Sequence, residues 1–325
     1  MNWSQILSNT ASFMLSPETI GFMLAALGLA VHFGYAGLLN FGVAGFMAVG
    51  AYSYAISILT FGLPWWVALF VSMAASIVFA LILGIPTLRL RADYLAIVTI
   101  AAAEIVRLLF QAQMFDAYTG SADGLSGYHA GFRAANPLPA GTYGLGPWTY
   151  SSDQWWVRIF GLGLVVLAAL VVWLLMRSPW GRVLKGIRED EDAVRSLGKN
   201  VFLYKMQALM LGGVLGALGG VVIALPASVI PQYYLPSLTF FVWTALLLGG
   251  AATIFGPLLG AVLYWALMAF LAGFLPAAAD AGWLPITSQQ AGSLRFILVG
   301  VALMLIVAFR PQGILGNKKE MTFVK

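Results

Sequence analysis

The stretch LAALGLAVHFGYAGLLNFGVAGFMAVGAY, Leu24 to Tyr52, carries no Asp, Glu, Lys or Arg, and it sits inside a longer run from Thr19 to Leu88 that is equally free of them. A second such run extends from Met206 to Ala279. Crossing a bilayer takes roughly 20 apolar residues, so each run holds several crossings. Backbone polar groups in lipid must be satisfied within the protein, which leaves helices or closed barrels. The apolar runs lack the two-residue alternation of a barrel strand. The expectation is an all-α polytopic membrane protein. The whole chain of 325 residues agrees: it is 61% hydrophobic and only 9% charged, with 36 glycines.

Crossings are expected at Thr19–Gly34, Gly42–Phe61, Pro64–Pro86, Asp93–Gln111, Trp156–Met176, Met206–Leu225, Leu238–Gly250, Phe255–Leu275 and Leu294–Phe309, about nine in all within a range of eight to ten. The stretch Leu238–Gly250 is short for a crossing and ends in Gly-Gly, which suits a broken or re-entrant segment. The chain reads as one transmembrane domain over residues 1–325, with long connections at residues 112–155 and 177–205 and a tail at residues 310–325. Phe41 to Ala55 and Phe255 to Leu267 both begin Phe-Gly and space small residues at helical intervals. This is either composition bias or the trace of an internal repeat.

Lysine and arginine set orientation, because cytoplasmic connections keep an excess of them. Placing residues 177–205 inside, with Arg89, Arg91, Arg310, Lys318, Lys319 and Lys325, puts 13 of the 17 cations on one side. Arg107, Arg133, Arg158 and Arg295 then fall at or near the outer side, the N-terminus outside and the C-terminus inside. Trp65, Trp66, Trp155 and Trp156 lie at outer boundaries, where amphipathic rings favour the interface. The outer connection contains TGSADGLSG, turn chemistry suited to a folded cap. The N-terminus MNWSQILSNTASFML lacks the positive region of a secretory signal and is read as mature sequence. With no cysteine there are no disulfides or thiolate metal sites, and the basic balance is explained by a membrane face without nucleic acid.

Charge concentrates in the inner connection, which gathers seven cations up to Lys205 and four acids at Glu189 to Asp192. The acids precede Ala193-Val-Arg-Ser-Leu197, a pattern for a short helix with acids in its first turn and Gly198 as its stop. The cations alone follow from topology. The acids do not, and they suggest a handle for another protein. A phosphate-cradling GxxxxGK[ST] loop is missing, so the chain has no means of its own to hydrolyse ATP. No serine, histidine or acidic constellation reads as catalytic, and no metal site is evident.

Intramembrane polar residues are few and therefore informative. Glu104 and Arg107 are three apart on one helix, with Gln111 on the same face; they are either a structural ion pair or part of a solute path. His32 is either a helix-packing hydrogen bond or a proton relay. Asn40 and Tyr52 flank the glycine-rich second crossing, where Gly37, Gly42, Gly45 and Gly50 suit close packing or a discontinuous helix. His129 belongs to the outer connection and is expected in solvent.

Six ordered stretches give the chain a family resemblance: GYAGLLNFGVAGFMAVGAY (Gly34 to Tyr52), GIPTLRLRADYLAIVTIAAAEIVRL (Gly84 to Leu108), TGSADGL (Thr119 to Leu125), RSPWGRVLKGIREDEDAVRSLGKNVFLYK (Arg177 to Lys205), LLGGAATIFGPLLGA (Leu247 to Ala261) and FRPQGILG (Phe309 to Gly316). Together they resemble the permease subunits of ATP-binding-cassette importers for branched-chain amino acids, the longer of the two permease types, in a family that also includes urea and short-chain amide permeases. The resemblance implies alternating access and a coupling helix in the inner connection. Asp192-Ala193-Val194 followed by Gly198 keeps the spacing of the family's Glu-Ala-Ala and glycine, with Asp for the acid and Val for the second alanine. It marks Arg182, Arg188, Asp190, Glu191, Asp192, Ala193 and Gly198 as the ATPase-coupling set. Asn40, Tyr52, Glu104 and Arg107 are the solute-path candidates. The implied partners are a second permease, two ATP-binding subunits that hold ATP and magnesium, an external solute-binding protein and membrane lipid, in a bacterial inner membrane. An ion-coupled secondary transporter is the competing reading, against which Glu104 stands as the only interior acid; a membrane-embedded enzyme is the third.

Overall fold

The computed structural model describes residues 2–90, 92–284, 287–309 and 312–316. Arg91, Arg310, Lys318, Lys319 and Lys325, and with them most of the expected tail, lie outside the described residues. The elements in order are α1 (Trp3–Phe13), α2 (Pro17–Leu29) running on into a π-helical turn (Ala30–Tyr35), α3 (Val43–Leu59), α4 (Trp65–Thr87), α5 (Ala92–Gln111), the short α6 (Asp116–Thr119) and α7 (Ala130–Ala134), a hairpin of β1 (Thr142–Tyr143) and β2 (Tyr150–Ser151), then α8 (Ser152–Arg177), α9 (Pro179–Glu189), α10 (Glu191–Ser196), α11 (Val201–Ala224), α12 (Pro236–Gly249), α13 (Phe255–Asp280) and α14 (Ser288–Phe309).

Local sequence explains where the long helices begin. Ser16 accepts from the Thr19 amide, with Pro17 at the first helical position of α2. Ser151 and Gln154 form a reciprocal capping box at α8, and Asn200 caps α11. Among the described residues, six helices are long and apolar enough to cross a membrane, or seven when the pair bent by 60° after Gln111 counts as one; α3 and α12 are apolar but shorter. At 1.5 Å per residue, α12 reaches only about 21 Å, short of a hydrocarbon core of roughly 30 Å. The nine expected crossings therefore correspond to nine apolar helices only when these two short ones are included. The N-terminal helix α1 was not foreseen from sequence; it packs along α13, where Trp3 meets Phe274 and Phe13 stacks on Trp265.

Helices α2 and α11 form the centre. Pro17 and all but one of the next twelve residues of α2 are buried, and α11 is buried over most of its length. A helix covered on every side needs no amphipathic pattern. The two approach through glycine: a Cβ on Gly219 would lie 2.5 Å from the Gly21 carbonyl oxygen, and one on Gly28 would strike the Gly212 carbonyl. Small residues admit this contact between backbones. Around this centre, α4, α5, α8 and α14 turn apolar side chains such as Ile82, Ile97, Val166, Leu170, Val301 and Met304 outwards.

The connection between α5 and α8 folds over one end of the bundle. Leu125 and Val229 exchange both backbone hydrogen bonds, at 2.8 and 2.9 Å. Gly124 (φ +72) permits that pairing, since a Cβ there would strike the Val229 carbonyl. Trp148 Nε1 and the Tyr150 hydroxyl donate to the Ala11 and Ser12 carbonyls, at 2.9 Å each, and so tie down α1. His129 departs from the expected solvated state: it is half-buried against Tyr128, with ring centroids 4.2 Å apart. Burial first, then the nearby Arg133 charge, push its pKa below the usual histidine value, against a smaller opposing effect from a Leu225 backbone hydrogen bond. Gly219→Leu should lower the melting temperature of the purified protein by the equivalent of about 1–3 kcal/mol of overpacking. Gly163→Leu, at an open position on α8, should leave it unchanged; equal melting of the two variants would contradict the packing account.

Candidate functional site

Two helix ends lie inside the bundle, and both raise the same difficulty. The first amides of a helix and its last carbonyls have no partner within the helix, and an apolar interior offers no water to replace one. At the start of α3 the partners are side chains, one from just ahead of the helix and two from other helices. Asn40 Oδ1 accepts from the Gly42 amide at 2.7 Å, Thr99 Oγ1 of α5 from the Phe41 amide at 2.9 Å, and Thr239 Oγ1 of α12 from the Ala44 amide at 3.0 Å. Asn40, Thr99 and Thr239 are fully buried.

The same asparagine fixes a histidine. Because Asn40 Oδ1 takes the Gly42 amide, its Nδ2 faces His32 Nδ1 at 3.0 Å and donates to it. His32 Nε2 therefore carries the ring proton and donates to the Leu209 carbonyl of α11 at 3.1 Å. The Asn40 carbonyl accepts from Trp243 Nε1 of α12 at 3.1 Å. One break between α2 and α3 thus fastens α2, α3, α5, α11 and α12 together. His32 is in the packing arrangement, with both ring nitrogens engaged.

At the second break, the last carbonyls of α12 are taken from the C-terminal side of the chain: the Ile314 and Leu315 amides donate to Leu248 and Gly249 at 3.0 and 2.9 Å. Gly250 (φ +118) and Gly313 (φ +71) turn the backbone where the two segments touch. The Phe-Gly echo has a structural counterpart here, since Gly42 and Phe255 each stand at the opening of a helix that follows a break.

Tyr52, Glu104 and Arg107 gather elsewhere, towards the opposite end of α3 from Asn40. Arg107 grips both Glu104 oxygens, at 2.6 and 2.9 Å, and reaches Gln111 Oε1 at 3.0 Å. The arginine is buried, while the glutamate stays one-third exposed. Tyr52 lies flat on Phe110 of the same α5 helix, with centroids 4.1 Å apart, and its buried hydroxyl has no partner.

At the other end of the bundle, α9 buries Gly181, Leu184 and Ile187 and turns charge outwards. Asp190 caps α10 through its bond from the Ala193 amide, at 3.0 Å. Arg195 bridges Glu191 and Asp192, at 2.8 and 2.9 Å, and Lys205 of α11 pairs with Glu191. Gly198 (φ +76) ends the turn. Arg182, Asp190, Asp192, Ala193 and Gly198 are exposed, as is Leu197, while Val194 is buried. Glu191 is partly covered, and Arg188 points inwards. A cleft of about 720 Å³ opens beside them, walled by Arg89, Glu191, Arg195, Lys199 and Phe202.

Sequence reasoning missed Thr99, Thr239 and Trp243. Their only signal was a hydroxyl or an indole N–H on a membrane helix, and no spacing linked them to Asn40.

Residues 15–308 match the family model described as branched-chain amino acid transport system / permease component. The chain is 30% identical to the high-affinity branched-chain amino acid transport system permease protein LivM of Salmonella typhimurium, over 93% of this chain and 69% of that protein. It is 29% identical to the protein of the same name from Escherichia coli, over 93% and 71%. With the probable branched-chain amino acid transport permease protein LivM of Methanocaldococcus jannaschii it shares 26%, over 93% and 92%. Asn40→Leu leaves the Gly42 amide and His32 Nδ1 without their partner. It should cost about 1–3 kcal/mol for each stranded group, read as a fall in melting temperature, whereas Asn9→Leu on exposed α1 should change it little; an unaltered Asn40→Leu variant would contradict this assignment.

Proposed function

The chain belongs to the family of permease components of branched-chain amino acid transport systems and is the transmembrane permease subunit of an ATP-binding-cassette importer; from that premise we propose the following working arrangement. The solute is a branched-chain or other hydrophobic amino acid, and the names of the relatives do not favour urea or a short-chain amide. An apolar lining suits an aliphatic side chain, while the ammonium and carboxylate need polar partners. Glu104 and Arg107, with Tyr52 beside them, meet that need, and Asn40 serves the helix break.

The chain crosses the membrane nine times, with α3 and α12 as the short members, its N-terminus outside and its C-terminus in the cytoplasm. The positive-inside excess at residues 177–205 supports this, as does the placement of the 112–151 cap at the other end of α8. The α9–α10 elbow is the surface for the ATP-binding subunits, which supply ATP, magnesium and hydrolysis. Its support is a single observation: at one end of the bundle, Asp192 and Ala193 on α10 and Asp190 and Leu197 at its two ends stand exposed, while Glu191, Asp192 and Arg195 pair with one another and with Lys205. Positive-inside topology requires cations there and gives no reason for an exposed leucine among acids. A second permease completes the path, and an external solute-binding protein delivers to the cap. Closure of the ATPases would move the elbow and switch the path between outward and inward openings.

Charge reversal of Asp190, Glu191 and Asp192 together should strip the ATPase from the purified complex and abolish ATP-driven leucine uptake into vesicles, with membrane insertion intact because the flanking cations remain. Uptake that persists on an ion gradient alone, without the ATPase, would overturn the importer reading.

A further inference from the structure

Arg188 sits at the last turn of α9, yet its guanidinium is turned away from the exposed tip. Nη1 donates to the Gly34 carbonyl at 2.5 Å, and its side chain is 16% exposed. The fork also holds Glu189, at 2.6 Å. Along its stem, Arg188 lies on Gly37, where a Cβ would come within 3.2 Å of Arg188 Cγ, and Gly37 takes a left-handed φ of +69. One turn earlier, Lys185 lies over the Tyr35 ring, 5.9 Å from its centroid.

Gly34 is a junction. It lies in the π-helical turn that ends α2, a local geometry that frees carbonyls from the regular ladder. Two residues before it, His32 begins the bonds that run through Asn40 to the first amides of α3. On its other side, a Cβ on Gly34 would strike the Ala251 carbonyl, so the turn after α12 presses on the same point. One arginine of the charged end thus touches the place where both helix breaks meet.

Building on the importer reading, we infer that Arg188 is a positioning residue, a strut that carries movement of the α9–α10 elbow to Gly34 and so to the two interior helix breaks, and that it does not form part of the face presented to the ATPase. Coupling between distant sites needs an element that both ends bias. The breaks supply it, because short helices held by a few side-chain bonds can shift without unravelling a continuous helix.

The test uses the whole importer, both permeases with the ATPase, reconstituted in vesicles with its solute-binding protein, and reads leucine imported per ATP hydrolysed. R188Q is expected to co-purify with the ATPase while that ratio falls by about tenfold, within the usual span of coupling energies. R188K keeps the charge and a donor nitrogen without the fork and should restore part of it. A defect of folding alone would lower uptake and hydrolysis together and leave the ratio unchanged, which would overturn the strut, as would loss of the ATPase from the R188Q complex or failure of both variants to assemble. Failure of the unmutated complex to couple hydrolysis to uptake would strike the importer reading instead.

Discussion

Two helices that stop inside an apolar bundle impose the constraint on which this structure depends. Lipid and apolar side chains cannot solvate the free amides at the start of α3 or the free carbonyls at the end of α12. Asn40, Thr99 and Thr239 meet the first need, and the backbone of residues 312–316 meets the second. The Asn40 bond is local, but Thr99, Thr239 and the 314–315 amides each tie a helix end to an element distant in sequence. The breaks are consequently points where several elements meet, even though they interrupt the regular structure of the bundle.

That arrangement joins the two ends of the molecule. The cap over residues 112–151 is anchored to α1 and to the turn after α11, the ends of helices that form or adjoin the buried centre. The elbow of α9 and α10 is fixed to α11 by Lys205 and to the end of α2 by Arg188. Between them, α2 and α11 touch glycine to glycine and leave little room for independent movement. A push at the elbow has short routes into the interior: through α11, or through Gly34.

Much of this was legible in the sequence, because it follows from composition and local chemistry. Uncharged runs located most of the apolar helices, the acids ahead of Ala193 and the stop at Gly198 marked α10, although Asp190 proves to be its cap rather than part of its first turn, and TGSADGL turned where its glycines allow positive φ. The Glu104–Arg107 pair followed from helical spacing. What stayed hidden depends on contacts between distant residues. Thr99 and Thr239 look like any threonine until the α3 amides arrive beside them. Arg188 counts as one more cation of the inner connection until Gly34 is seen beneath it, and α1 lacks the length that marks a crossing. His129 does lie in a connection, and its burial stayed hidden because its cover, Tyr128 and the Leu225 backbone, comes partly from another segment.

The whole account stands on which end of the bundle meets the cytoplasm, and the absence of native cysteine makes that directly readable. Single cysteines at Ser126, in the cap, and Lys199, beyond the elbow, are both exposed positions. A membrane-impermeant maleimide added to intact cells should label S126C and spare K199C until the membrane is opened. Labelling of K199C from outside, with S126C protected, would put the elbow on the wrong face and contradict the account.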